Sequence, residues 1–279
     1  MKNFSKIVAS VLLAGMTMLS ACTSAEETQN SPSKNVGILY FAQPVEKVGE
    51  HLIQIGLKPQ VYFDDLNSMV LALQAKKIDM IVEVPQPVAE YICNHSQNMK
   101  LAIAPQEKFK GNLLLRMGTM QENTKVYELL NSAIQELKEN GKLEVLQKKY
   151  VDGYLQKGKE PKPVAMPKFD NAPVIKVAVT GDYPPIDLTA ADGTPAGFNV
   201  AMLAEIAKLK KVNIIPVSMN SGARFISLNK GIVDALFFVY EGFFDDEKAR
   251  AWYKEATIPS VIKTTDVYAQ YPNRDVERK

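Results

Sequence analysis

Residues 176–210 read KVAVTGDYPPIDLTAADGTPAGFNVAMLAEIAKLK. Val177 and Val179 alternate with small residues, as in a short buried strand. The strand cannot run past Gly181-Asp182-Tyr183-Pro184-Pro185, because two prolines remove two backbone donors and fix φ. Ala191-Asp192-Gly193 predicts a turn, with glycine where a positive φ costs least. From Asn199 the apolar residues Val200, Leu203, Ile206 and Ala207 recur at helical spacing. The unit is strand, tight loop, turn and helix. Its loop holds Tyr183 at the carboxyl end of a strand, where open α/β sheets bind ligands.

The same stretch closely resembles the opening of the type-3, amino-acid-type, solute-binding proteins of ABC importers. The resemblance lies in the strand, Asp182-Tyr183 followed by Pro185, the turn, and Gly197-Phe198-Asn199-Val200 before the helix. It implies an α/β fold of two lobes, each a sheet flanked by helices, that close on a ligand by a hinge. In that family the unit opens the mature chain; here it begins after residue 170.

The rest of the chain can be weighed against that displacement. Its 279 residues, 46% hydrophobic and 23% charged, suffice for one large or two small domains with a real core. A formal charge of +2 without a basic aromatic stripe gives no sign of nucleic-acid binding. Lys2 and Lys6 precede an apolar run, Ile7 to Leu19, that is short for a membrane span. Leu19-Ser20-Ala21-Cys22 resembles a lipobox, so residues 1–21 are expected to be a signal peptide and Cys22 to carry lipid. Polar residues 22–34 would then form a flexible tether. Cys93, left without a partner, falls near Val88 and Tyr91 at helical spacing and reads as a small buried hydrophobe. His51 and His95 have no metal-site spacing around them, and neither a cofactor motif nor a Ser-His-Asp set is visible.

Strands and helices alternate along most of the remainder. Strands are expected at Asn35–Phe41, Gln60–Phe63, Ile78–Val84, Lys100–Ala104, Lys110–Met117, Val212–Val217, Val233–Val239 and Thr264–Gln270. Helices are expected at Val45–Leu57, from Leu66 to Leu73 after a cap at Asp64-Asp65, at Pro87–Cys93, Val126–Lys138, Leu143–Tyr150, Ala223–Leu228 and Asp245–Tyr253. Residues 157–173, KGKEPKPVAMPKFDNAP, read as an extended linker, and 272–279 as a polar tail. Two segments repeat. Leu73-Gln74-Ala75-Lys76-Lys77-Ile78-Asp79 and Leu228-Asn229-Lys230-Gly231-Ile232-Val233-Asp234 each lead from a helix end through a basic turn to an aspartate and an apolar strand. Asp79 and Asp234 are expected to cap turns. The type-3 family carries this motif in both lobes.

The resemblance therefore covers the mature chain in rotated order. Residues 35–107 resemble the family's second lobe, 108–155 the return strand and closing helices of the first, and 174–271 the family's beginning with its hinge strand. Residues 156–173 would join the family's usual C-terminus to its usual N-terminus, a circular permutation of the kind that neighbouring termini allow.

By the same resemblance the ligand site lies between the lobes. Asp182 and Tyr183 match the family's loop. Glu83 and Gln86 fall near its acid for the ligand ammonium, and Phe41-Ala42-Gln43 stands where the family has Gly-Thr, so Ala42 and Gln43 would line the wall. Tyr240 and Glu241 follow the strand at 233–239, and Lys248 falls nearest the family's carboxylate-binding Arg, which lysine does not replace as a bidentate clamp. This aromatic and acidic set suits an amine or amphipathic solute. The expected protein is a lipid-anchored, monomeric, extracytoplasmic subunit that passes a small polar solute to an ABC permease and its ATPase. It is not expected to be an enzyme, to hold a metal or cofactor, or to bind nucleic acid. Two other readings stay open: an enzyme like the cyclohexadienyl dehydratases that share the opening motif, and a sensor or adhesion lipoprotein without a solute.

Overall fold

The computed structural model describes residues 34–39, 57, 60–102, 112–155, 162–243, 251 and 260–279, with the backbone alone at 60, 83 and 240–243. The signal peptide expected at 1–21, Cys22 and the helices expected at Val45–Leu57 and Asp245–Tyr253 lie outside the described residues, apart from Leu57 and Ala251.

The 176–210 unit folds as its sequence implies. Strand β6 (Val174–Val179) is followed by a small sheet of β7 (Asp182–Tyr183), β8 (Asp187–Thr189) and β9 (Pro195–Ala196), and then by a helix, Phe198–Lys210. Gly197 makes that join possible. It has φ +96°, and a Cβ there would lie 2.9 Å from the Ile186 carbonyl oxygen and 3.0 Å from that of Pro185. The helix is buried on several sides: Phe198, Val200, Met202, Leu203, Ile206 and Ala207 have no exposed surface.

This unit belongs to the first of two half-sheets. Three strands lie parallel in the order β10 (Asn213–Ser218), β6, β11 (Ala235–Phe243). A fourth, β5 (Asn112–Met120), runs antiparallel beside β11, and β12 (Ile262–Thr264) pairs with it further on. The second half-sheet repeats the plan. Strands β2 (Gln60–Phe63), β1 (Val36–Leu39) and β3 (Met80–Pro85) are parallel in that order. Antiparallel β13 (Ala269–Arg278) lies beside β3, and β4 (Met99–Ala102) beside β13. In each half the order is second, first, third, then a strand from the other part of the sequence. Continuous apolar runs such as Ala235–Val239, all fully buried or nearly so, are what a parallel sheet covered on both faces demands.

The repeated motif has the same geometry in both halves. The Asp79 carboxylate accepts the Asn35 amide at 2.8 Å while the Asp79 amide donates to the Asn35 carbonyl at 2.7 Å. Asp234 does the same with Lys176, at 2.8 Å each way. Each aspartate thus ties the start of its half-sheet's third strand to the start of the first, a structural and not a chemical role.

The helices of six or more residues among the described residues are α1 (Leu66–Gln74), α2 (Gln86–His95), α3 (Thr124–Glu139), α4 (Lys142–Gln147), α5 (the Phe198–Lys210 helix) and α6 (Ser221–Asn229). Helix α4 widens into a π-turn at Lys148–Asp152. Asp65 caps α1 by accepting the Ser68 amide at 2.7 Å, and Asn220 caps α6 by accepting the Ala223 amide at 2.9 Å.

Two expectations are overturned. The strand expected at Thr264–Gln270 is split: residues 265–268 leave the ladder, and the polar tail expected at 272–279 is instead most of β13. Ala269–Pro272 pair with Asn112–Leu115 of β5, and Asn273–Glu277 pair with β3. Tyr271, Asn273, Asp275 and Val276 are buried along it. The second finding is that residues 162–173, although extended, are docked. Val164 and Met166 pack against the main core. The Asn213 side chain accepts the Phe169 amide and donates to the Phe169 carbonyl, both at 2.9 Å.

Candidate functional site

The carboxyl ends of β6 and β10 in the first half-sheet and of β2 in the second lead into one place. From the first half come the turn after β6 (Thr180 to Tyr183) and the start of α6. From the second comes Asp64-Asp65 at the start of α1. Two hydrogen bonds join them. The Leu66 amide donates to Asp182 Oδ2 at 2.7 Å, and the Ser221 amide donates to the Asp64 carbonyl at 2.9 Å. Leu66 is the first residue of α1, so its N–H has no acceptor within the helix. A carboxylate at that end also meets the positive pole of the helix dipole.

Asp187 holds the loop that presents Asp182. It is wholly buried and accepts the amides of Thr180 at 3.1 Å and Gly181 at 3.2 Å, and the Asn199 side-chain amide at 3.4 Å. Burial pushes its carboxyl up to about 6, although those two amides, the Arg224 charge and Asn199 pull the other way. Burial also pushes the Asp182 carboxyl up, against the Leu66 amide and with help from the Asp65 charge.

Tyr183 does not offer an open aromatic face. Its ring is 1% exposed and packs at 4.8 Å, tilted by 50°, on Phe238. Phe237 and Phe238 are core residues, as their place in an apolar strand requires. The Arg224 guanidinium carbon lies 5.2 Å from the centre of the Phe238 ring, and Arg224 itself is wholly buried. Tyr268, from the segment between β12 and β13, stands edge-on to Phe237 at 5.4 Å, and burial drives its phenol well above the ordinary range. The loop at the strand end is therefore linked through Asp187, Asn199 and the rings to the crossing segment.

Of the residues expected at the site, Asp182 and Tyr183 stand together in this loop. Gln86 is the first residue of α2, directly after β3, and its side-chain amide donates to Glu90 at 2.6 Å. Glu83 lies in β3, and Tyr240 and Glu241 lie in β11 opposite Leu115 and Leu114 of β5. Ala42, Gln43 and Lys248 lie outside the described residues. Arg224, Asp187 and Asn199 were not anticipated. One signal was available for Arg224: from the Asn220 cap, Ser221, Arg224 and Leu228 share one helical face, and that face is the buried one. Cys93 is partly buried against the core and its thiol is raised by burial, as an inert apolar cysteine should be.

No group of three or more His, Cys, Asp or Glu able to hold a metal occurs among the described residues. No helix among them is long and apolar enough to cross a membrane.

Comparison with known proteins bears on this loop directly. Residues 175–241 match the family model of bacterial extracellular solute-binding proteins, family 3. The matched residues span β6, the Asp182 loop, α5, β10, α6 and most of β11. Three solved structures illustrate the wider likeness. An ancestral arginine-binding protein bound to arginine is 13% identical, with 88% of this chain and 84% of that chain covered and a TM-score of 0.40. A ligand-binding component of an ABC-type import system from Staphylococcus aureus, with zinc bound, is 13% identical, with 88% and 66% covered and a TM-score of 0.41. An ABC transporter periplasmic binding protein from Brucella ovis, with glutathione bound, is 11% identical, with 88% and 62% covered and a TM-score of 0.47. The chain thus spans less than two thirds of the latter two. No curated protein matches it significantly.

Proposed function

We propose that this protein is the extracytoplasmic solute-binding subunit of an ABC importer, in circularly permuted order. It takes a small polar solute between its two lobes and delivers it to a permease and ATPase. The first lobe is residues 174–271 with 108–155, the second is 35–107 completed by the C-terminal strand, and 156–173 is the joint. The observation that carries this reading is the pair of crossing strands. Strand β13 pairs with β5 of the first half-sheet at Ala269–Pro272 and with β3 of the second at Asn273–Glu277, while β5, antiparallel to it, follows β4 of the second half-sheet in the chain. Such a pair is a hinge with the strand ends of both lobes on one side of it. The family-3 segment supports the assignment to solute binding.

Asp182, Tyr183, Glu83, Gln86, Tyr240 and Glu241, with Ala42, Gln43 and Lys248, are the residues assigned to the site. Asp182 stands at the surface between the lobes, and Tyr183 backs it through Phe238. A lipid on Cys22 would keep the monomeric protein at the outer face of the membrane, beside its permease. No step in binding and release requires a catalytic group.

A thermal-shift panel of amino acids, polyamines and short peptides tests the reading. A true ligand at a hundredfold excess over its Kd stabilises by about 2.7 kcal/mol. Absence of any shift across the panel refutes solute binding. Separately, Cys22→Ala is expected to release the protein from membranes, and a chain reopened between 156 and 173 with residues 279 and 34 joined is expected to fold.

A further inference from the structure

The joint at 156–173 lies against the small sheet that carries the site loop. Strands β7, β8 and β9 are two, three and two residues long. Beyond β9 stands one more extended residue: Pro163 forms an antiparallel bridge with Ala196. The registers make a single row across this sheet. Pro163 faces Ala196, Ala196 faces Leu188, and Leu188 faces Asp182. The row thus begins on the joint and ends on the carboxylate that accepts the Leu66 amide of the second lobe at 2.7 Å.

A sheet of such short strands is stable only with its face and edges covered. The joint supplies that cover. Pro163 has no N–H to offer a further strand, so the sheet can end on it. Val164 and Met166 are half-buried and pack against the main core, while Pro163 and Ala165 are exposed, the period of an extended chain lying on a surface. Both ends of this strap are tied. The Lys162 amide donates to the Tyr154 hydroxyl at 3.2 Å, and Phe169 is held by Asn213 in both directions at 2.9 Å. A second path leads inward from the same rung. Ala196 lies three residues before Asn199, whose side chain donates to Asp187, and Asp187 accepts the Thr180 and Gly181 amides of the site loop. A spacer that only spans the distance needs neither the apolar pair nor the two ties. We propose that residues 162–169 form the outer edge of the Asp182 sheet and position the site loop, so that the joint is a working part of the cleft wall. That the loop is a solute wall rests on the reading above; the strap's hold on the loop does not.

Amide exchange followed by NMR, on the full chain without added solute, tests the proposal. Val164→Asp sets a charge where the strap meets the core and is expected to lift it. The amides of Thr180 and Gly181, held by Asp187, and of Leu66, held by Asp182, should then exchange about tenfold faster or more. The Met117 amide, held by the buried Thr265 hydroxyl at 3.1 Å, should stay within about twofold of its wild-type rate. Val164→Ile, which keeps the apolar contact, is expected to leave all four rates unchanged. Wild-type rates at the three loop-held amides in Val164→Asp overturn the proposal. So does an acceleration that Met117 shares equally, since that is global destabilisation. Should Val164→Asp not fold, the wild type decides. The Phe169 and Gly181 amides are expected to open as one unit, with protection within about threefold of each other at every urea concentration below the unfolding transition; a larger difference overturns the hold of the strap on the loop. None of these readouts involves a solute. A thermal-shift panel that finds no ligand therefore refutes solute binding alone, and a strap that opens apart from Gly181 refutes the positioning role alone.

Discussion

Asp187 makes the stability of the first lobe depend on pH in an unusual direction. Most carboxylates are more acidic in a folded protein than in the unfolded chain. This one is raised from 3.8 to about 6 because burial outweighs its three hydrogen bonds and the Arg224 charge. Between those two pH values the folded chain holds a proton that the unfolded chain has lost. The contribution of Asp187 is therefore fully present below pH 3.8 and declines as pH rises through 6. The rise corresponds to about 3 kcal/mol, at about 1.4 kcal/mol per tenfold change in proton affinity. Asp187→Asn removes the titration. It also loses one of the two backbone amides, from Thr180 and Gly181, that the carboxylate accepts, at about 1–3 kcal/mol independent of pH. Urea denaturation of both proteins from pH 4 to pH 7.5 separates the two effects. The stability difference, wild type minus variant, is expected to shrink by about 2.5 kcal/mol across that range. A difference that stays constant, or grows with pH, refutes the account of Asp187 as a desolvated acid.

Three further outcomes follow from local geometry. Gly197→Ala puts a Cβ against two carbonyl oxygens at a backbone conformation reserved for glycine, and should cost about 1–3 kcal/mol, read as a lowered Tm. Lys76 has φ +60° where its counterpart in the repeat is Gly231 at +67°, so Lys76→Gly should stabilise by up to about 1 kcal/mol; calorimetry showing a loss would refute the equivalence. Asn213→Ala removes the acceptor of the Phe169 amide and one of the two donors to its carbonyl, and limited proteolysis should then cut residues 162–173 faster, with a stability loss of about 1–2 kcal/mol.

Where burial was on both faces, the sequence announced its elements plainly. Ala235 to Val239 is an unbroken apolar run because β11 lies between β6 and β5. The Leu-to-Asp repeat was legible because both copies solve the same joint. The C-terminal strand was not legible, for a physical reason. It changes sheets near Pro272, and its inward residues Asn273 and Asp275 are polar, so no apolar alternation marks it. The docked linker hid behind its prolines and lysines, although Val164 and Met166 stand two apart as an extended chain lying on a core requires. At the site, Asp182 was visible from its loop, while Arg224 was hidden because a charged residue is discounted when a buried helix face is read.

Strand β13 imposes an order on biosynthesis. Residues 36–102 are the first part of the described fold to leave the ribosome, yet the strand that pairs with Met80–Pro85 and with Met99–Ala102 is the last. Until Asn273–Arg278 emerge, β3 presents an open edge and β4 has no ladder at all. The nascent second lobe must stay unfinished while some 170 residues follow it, so chaperone engagement during translation should concentrate on the earliest strands and be released only when the final one arrives.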